Sequence, residues 1–265
     1  MVFSNNLLLG VGGQSTGPAS FDSTLIGNSV WLDGSADYLT KTFSSGSAQT
    51  RLVFSTWVQR NSFTSDIQEI FQGYKVIGST PTTNRMGFKA STSEFEIFIA
   101  QTDLSERTYK TTRVFRDIGW YHLIISLDAN VTDSVQLYVN GIRETTLALT
   151  AGSALNGAVS AWGNAGLHNI GAYTNTVAYR EWLNGYLTQS TMLVGKSIQA
   201  GTVAVTDFLD AFTFGTNGSQ FAPKADADIA ALASSAGGNS FCLVFADRSD
   251  LGNDISSNNN DFTPN

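Results

Sequence analysis

Glu94 and Glu96 fall on one side of the alternating segment Glu94 to Gln101, and two carboxylates sharing a strand face are the groups that glycoside hydrolysis uses. Phe95, Ile97 and Ile99 alternate with them, so the segment reads as a strand whose carboxylates lie on a solvated outer face. No catalytic role is expected for the pair. His122 and His168 are the only histidines, so a Ser-His-Asp triad would have to use one of them. Neither lies near a Gly-x-Ser-x-Gly turn, and both sit inside strand-like segments, so both are expected to be structural. Cys242 is the only cysteine, which excludes an internal disulfide and a thiolate zinc cluster.

Oxygen-rich turns offer a second chemistry. Calcium takes carboxylate, amide and carbonyl oxygens, and the candidate ligands are Asp33 and Asp37, or Asp247, Asp250 and Asp254. None of these spacings matches an EF-hand loop, and Asp is an ordinary turn former, so the turn reading is preferred and calcium stays open as the one candidate cofactor. A third chemistry is sugar recognition by aromatic rings beside polar hydrogen-bonding groups. Trp162, Tyr173, Tyr179, Arg180 and Trp182, set among Gly, Asn and Thr, make the most sugar-like neighbourhood in the chain. The competing reading has Trp162 and Trp182 capping the edge of the core.

Such groups need a rigid frame, and the frame is legible. The 265 residues include 17 Phe, 8 Tyr and 5 Trp, enough for a large core in one main domain. Fifteen Lys plus Arg against 22 Asp plus Glu give a net charge of -7, which disfavours nucleic acid and anionic lipid as partners. No apolar run is long enough to cross a bilayer, so no membrane insertion is expected, and the N-terminus reads poorly as a secretory signal.

Short alternating segments separated by turn formers begin near Asn28. In Leu52 to Gln59, Val53, Ser55, Trp57 and Gln59 share one face while Leu52, Phe54, Thr56 and Val58 share the other. Strands are also expected at 29–32, 38–40, 67–74, 85–89, 119–128, 134–139, 167–173, 182–193 and 240–247. Asn140-Gly141 favours a type I′ turn, so Ile142 to Leu149 is expected to fold back as a hairpin arm. Residues 205–235 read as a partly helical insertion, with a capped turn at Thr206 to Asp210 and a short helix within Ala225 to Ser234.

Several of these segments, in order, resemble the laminin-G-like branch of the concanavalin A-like jelly-roll sandwiches. The resemblance rests on Ser29 to Leu39, Phe54-Ser55-Thr56-Trp57-Val58, Trp120-Tyr121-His122-Leu123, Leu137-Tyr138-Val139-Asn140-Gly141, Ile170-Gly171 and Trp182 to Leu187. It implies an all-β sandwich of two antiparallel sheets. The Glu-x-Asp-x-x-Glu arrangement of the related glucanases is absent, which puts hydrolase activity in doubt, whereas relatives that hold calcium do so at the sandwich rim.

Phe241 to Asp247 with Ser249 to Thr263 looks like the segment that usually opens such a domain, yet here it closes the chain. That order, with the opening Met-Val-Phe-Ser-Asn-Asn-Leu-Leu, is similar to structural proteins of tailed bacteriophages, marine ones in particular. The resemblance implies a non-enzymatic virion protein on the particle surface, made in the host cytoplasm without a signal peptide. It would serve as a capsid decoration or tail-fibre component whose partners are other virion proteins. The alternative is a receptor-binding lectin for host surface glycans.

The expected organisation is an N-terminal arm, 1–20, and a sandwich over 21–265 closed by residues 239–265. Leu7, Leu8 and Leu9 are the candidate anchor of the arm, and a homo-oligomer such as a trimer is expected to multiply a weak contact. The two ends of the sandwich should meet, with the last apolar segment beside the Trp31 region.

Overall fold

Alternation of apolar and polar side chains, punctuated by Gly, Asn and Asp, makes strands of nearly every ordered segment. The computed structural model describes residues 26–63, 67–175, 178–213 and 219–265. The proposed arm and Leu7, Leu8 and Leu9 lie outside the described residues. In chain order the first strands are β1 (Val30–Asp33), β2 (Leu39–Phe43), β3 (Arg51–Arg60), β4 (Gln68–Ile77), β5 (Thr80–Phe88), β6 (Glu94–Ala100) and β7 (Glu106–Val114). They are followed by β8 (Trp120–Asp128), β9 (Val135–Val139), β10 (Ile142–Arg143), β11 (Ala148–Ala151), β12 (Gly166–Ile170), β13 (Tyr173–Thr174), β14 (Tyr179–Arg180) and β15 (Asn184–Val194). A 3-10 turn (Val205–Asp207), β16 (Leu209–Thr213), β17 (Ser219–Pro223), α1 (Asp226–Ser234), β18 (Phe241–Leu243) and β19 (Thr263–Pro264) complete the order.

Two large antiparallel sheets face each other as a jelly-roll β-sandwich. One runs β1-β15-β3-β8-β9-β10, with β18 also paired to β15, and the other runs β11-β7-β6-β5-β4-β12-β2-β19. The two faces of β3 divide as the alternation requires. Leu52, Phe54 and Val58 enter the main core between the sheets. Val53 and Trp57 enter a second core, with Ile229 and Ala233 of α1 and with Phe208.

Both ends of the sandwich meet on β15. Val30 pairs with Leu187 and Phe241 with Met192, so β1 and β18 lie end to end along the edge that β3 does not occupy. β19 then pairs with β2 in the opposite sheet, so the C-terminal segment completes its own sandwich. Asp254 holds this segment in place: its carboxylate accepts from the backbone N–H of Cys242 at 2.8 Å and of Asn260 at 2.8 Å.

One expectation is corrected, and two elements are added to those expected. Asn140 and Gly141 do adopt positive φ (51° and 78°), but the returning arm is only β10, and the chain then crosses to the other sheet, where Ala148 pairs with Lys110 of β7. Residues 142–149 are half-buried or exposed, so burial does not bind them to β9; Arg113–Glu144 (3.4 Å) and the Thr146 hydroxyl, accepting from Thr112 and Arg113 N–H, draw them to β7. β7 is a strand that apolar alternation does not reveal, because its inward positions are Arg107, Tyr109 and Thr111. Within 205–235, the partly helical insertion has its turn at Val205–Asp207 and its helix at Asp226–Ser234, and the hairpin β16–β17, which was not expected, stands between them.

Phe262 is 2% exposed and meets Phe241 edge-on at 4.7 Å. Phe262→Ala is expected to cost about 3–5 kcal/mol, the usual range for deleting a buried ring. Urea denaturation measures it, and a loss below about 1 kcal/mol would show that the closing segment stands outside the cooperative core.

Candidate functional site

The sugar-like neighbourhood expected from the sequence divides into two places. Trp162 is fully buried and stacks parallel to Phe71, with centroids 6.0 Å apart. It lies on Gly73, where a Cβ would come within 2.8 Å of the indole. The loop carrying it is drawn inward by Asn84, whose Oδ1 accepts from the N–H groups of Ala161 (2.6 Å) and Trp162 (3.1 Å). Trp162 is therefore a core residue and offers no face to a ligand.

Tyr173, Tyr179, Arg180 and Trp182 do come together, on and beside the hairpin β13–β14, which lies against the larger sheet. Gln72 of β4 fastens that hairpin by accepting from Thr174 N–H (2.8 Å) and donating to Thr174 O (2.7 Å). Much of the ring surface is used internally. Tyr179 stacks on Tyr38 at 4.1 Å, and Tyr173 carries the guanidinium groups of Arg180 at 5.0 Å and Arg85 at 5.5 Å. Trp182 is half-buried.

Beside the hairpin is a charged cluster that sequence spacing does not announce. Arg85 on β5 meets Glu181 at 3.1 Å, Glu69 of β4 at 3.4 Å and Glu96 of β6 at 3.6 Å. Glu96 also receives Lys110 at 3.3 Å and Lys89 at 3.5 Å, so the carboxylate expected in solvent is nearly buried under three cations. Glu94, its expected companion, bonds instead to the Thr92 hydroxyl at 2.9 Å, with a register shift between the two glutamates. Glu181 joins the cluster from a strained position: its φ is 58°, and its carbonyl accepts from Glu69 N–H at 2.9 Å.

Burial dominates the chemistry of Glu69. The side chain has no exposed surface, its Oε1 has no hydrogen-bond partner among the described residues, and desolvation lifts its pKa to about 8 despite the opposing charge of Arg85. At neutral pH it is a neutral acid, leaving Glu181 and Glu96 to balance Arg85. Nearby on the same sheet, Asn169 Oδ1 and Thr40 Oγ1, on paired residues of β12 and β2, are also buried acceptors without a partner among the described residues.

The two histidines are placed as structural groups. His122 is buried beneath Trp57, its Nε2 lies 2.9 Å from the Ser55 hydroxyl, and burial lowers its pKa to about 3. His168 Nε2 accepts from Gly163 N–H at 3.2 Å, and burial lowers its pKa to about 4.

The calcium candidates do not converge, and among the described residues no three His, Cys, Asp or Glu side chains are grouped as metal ligands. Asp33 accepts from the Ser35 hydroxyl (2.6 Å) and from the N–H groups of Ser35 and Ala36, which hold its pKa at about 2. Asp37 accepts from Asp33 N–H at 3.2 Å, and Asp247 from Ser249 N–H at 2.8 Å. Asp250 N–H donates to the Asp247 carbonyl. Asp254 is a buried structural acceptor and is corrected from a rim candidate. The carboxylates of Asp33, Asp37, Asp247 and Asp254 accept hydrogen bonds within their own segments, and the five candidates are not gathered at one point, so the set does not fit calcium.

A family model described as Concanavalin A-like lectin/glucanases superfamily matches residues 33–191. Among curated proteins no sequence matches the chain. Among solved structures, a native heptameric SAP-like pentraxin from Limulus polyphemus is 13% identical, with 76% of this chain and 96% of that chain covered and a TM-score of 0.47. Mouse laminin alpha1 chain domains LG4-5 are 11% identical, with 61% and 40% covered and a TM-score of 0.42. The enzymatically active domain of bacteriophage CBA120 tailspike protein 2 is 12% identical, with 69% and 28% covered and a TM-score of 0.47. At these identities the likeness is one of fold alone.

The neutral Glu69 has a measurable consequence. Its folded pKa, about 8, exceeds the ordinary carboxylate value, so the folded state binds the proton more tightly and its contribution to stability is lost as pH rises from about 4.5 through 8. Glu69→Gln is expected to remove that decline. In urea titrations at pH 5, 7 and 9, the variant should gain on the wild type with each step, and a difference independent of pH would contradict the buried neutral acid.

Proposed function

The chain belongs to the concanavalin A-like lectin/glucanases superfamily, and from that premise we propose that it is a non-enzymatic structural protein on the surface of a bacteriophage virion. In this reading it is a capsid decoration or tail-fibre component, held by contacts with other virion proteins and assembled as a homo-oligomer, for which a trimer is one arrangement. The observation that carries the reading is the closure of the sandwich by its own last segment, through β18 on β15 and β19 on β2. That segment order, with the N-terminal Met-Val-Phe-Ser-Asn-Asn-Leu-Leu, is the one similar to phage structural proteins. A module braced in this way stays rigid without disulfides, as an exposed particle component must.

The carboxylates support a binding role over a hydrolytic one. A general acid must reach the glycosidic oxygen, and Glu69 has no surface from which to do so. A nucleophile must be free to attack, whereas Glu96 is bound by Arg85, Lys89 and Lys110. Anchoring falls to Leu7, Leu8 and Leu9, whose burial against a partner would contribute roughly 5–8 kcal/mol before ordering costs.

A second reading, a receptor-binding lectin for host surface glycans, is favoured by the gathering of Tyr173, Tyr179, Arg180 and Trp182 on and beside the β13–β14 hairpin. Aromatic rings beside polar groups are the pairing that sugar recognition uses.

Deleting residues 2–17 is expected to abolish incorporation into particles while leaving the thermal unfolding of the purified domain unchanged; retained incorporation removes the anchoring role. For the lectin reading, a glycan array probed with and without calcium should give binding that Tyr173→Ala weakens at least tenfold, and an array without signal leaves adhesion to virion proteins as the function.

A further inference from the structure

Arg107 of β7 is 2% exposed, yet every oxygen that accepts from it is neutral. Its Nε donates to Ala154 O at 3.3 Å, and one terminal nitrogen donates to Ser105 O at 3.1 Å and Ser105 Oγ at 2.7 Å. The other terminal nitrogen donates to Ser153 Oγ at 3.4 Å and Asn156 Oδ1 at 3.1 Å. Asp103, whose charge acts on Arg107, is bonded to Ser105 and forms no ion pair with the guanidinium. A charge held out of water without a counter-charge is costly, and that cost falls if one of its acceptors becomes a carboxylate.

Asn156 is the acceptor that can change in this way. It is exposed, lies between β11 and β12 outside any strand, and is followed by Gly157. The Gly157 N–H makes no hydrogen bond among the described residues, and a Cβ at this position would come within 2.2 Å of Gln101 Nε2, so the nitrogen beside Asn156 is neither engaged nor shielded by a side chain. The other Asn-Gly pairs among the described residues are held. Asn140 Oδ1 accepts from His122 N–H at 2.8 Å and Asn140 N–H donates to His122 O at 2.8 Å, while Gly185 is paired with Leu32 on one side and Arg60 on the other.

We propose that Asn156 is a modification site, where the side-chain amide converts spontaneously to a carboxylate that pairs with Arg107. The Gly157 nitrogen attacks Asn156 Cγ and closes a five-membered imide, the bond from Cγ to Nδ2 breaks, and ammonia leaves with the Gly157 proton. Water then adds at Cγ and the new bond to the Gly157 nitrogen opens, which restores the main chain with aspartate at 156. Opening at the main-chain carbonyl would give isoaspartate instead. Arg107 selects between the two. Its guanidinium donates to Oδ1, where negative charge develops both as the ring closes and as water adds at Cγ, so a fixed cation there lowers both barriers. The Asn156 main-chain carbonyl accepts from no group among the described residues. Water is the only reactant taken up, and the product ties the segment after β11 to β7 by a charge pair.

Peptide mapping of the folded full-length protein before and after incubation at pH 8 tests the proposal, with fragmentation that separates aspartate from isoaspartate. Asn156 is expected to convert ahead of Asn140 and Asn184 and to yield mainly aspartate. The same chain unfolded in guanidinium chloride should convert at all three and yield mainly isoaspartate. Arg107→Gln, which still donates hydrogen bonds but carries no charge, is expected to slow the conversion about tenfold or more, with a circular dichroism melt to confirm its fold. If that variant does not fold, the comparison of folded with unfolded wild type decides by itself. Asn156→Asp should raise Tm above that of freshly purified wild type. An Asn156 that stays an amide in the folded protein while the unfolded chain converts, an excess of isoaspartate at 156, or a Tm lowered or unchanged in Asn156→Asp overturns the proposal.

Discussion

The face-to-face contact of Phe54 and Phe71, with centroids 4.5 Å apart and planes 6° from parallel, joins the two sheets at the centre of the sandwich. Phe54 belongs to β3 and Phe71 to β4, so the pair crosses the interlayer space directly. Trp162 stacks on Phe71 from one direction, and Phe241 meets it edge-on from another. Phe262 then extends the group through Phe241. Such contacts add about 0.5–1.5 kcal/mol each beyond the area they bury. Their larger effect is geometric: an inserted loop and the closing segment at the end of the chain are both fitted to one ring.

That constraint explains why polar groups accumulate on the outer face of the larger sheet. With the inner face committed to aromatics, Glu69, Arg85 and Glu96 must project outward, where the hairpin β13–β14 covers part of them. Covering a carboxyl without giving it a full set of partners leaves the neutral acid as the lower-energy form. The same hairpin uses the aromatic surface of Tyr173 and Tyr179 to bind arginine and tyrosine within the chain. The smaller sheet differs, because α1, the 3-10 turn and the β16–β17 hairpin cover part of its outer face as a second core against which Trp120 also packs, while Trp31 stays exposed.

Local alternation made much of this architecture legible. Leu52 to Gln59 declares both its faces, and both are buried as declared because β3 is central in a sheet that carries cores on two sides. Asn140-Gly141 announces its turn because few residue pairs tolerate two consecutive positive φ values. β7 escaped because Arg107 and Thr111 fill its inward positions, and Arg107 satisfies itself against Ser105 and Asn156 rather than by apolar contact.

The sequence by itself marked most of the strands and their inward faces, since each follows from side-chain type at period two; the two-sheet class and the meeting of the sandwich's ends were legible only through the resemblance of several segments, in order, to a known family. Only the tertiary structure decided that Trp162 is core, that Asp254 anchors the closing segment, and that Arg85 gathers Glu69, Glu96 and Glu181, the last of them 96 residues away. Those outcomes depend on which strands become neighbours. Neighbour choice is a competition among long-range pairings, settled by how well one aromatic core can be filled, and no local spacing encodes it.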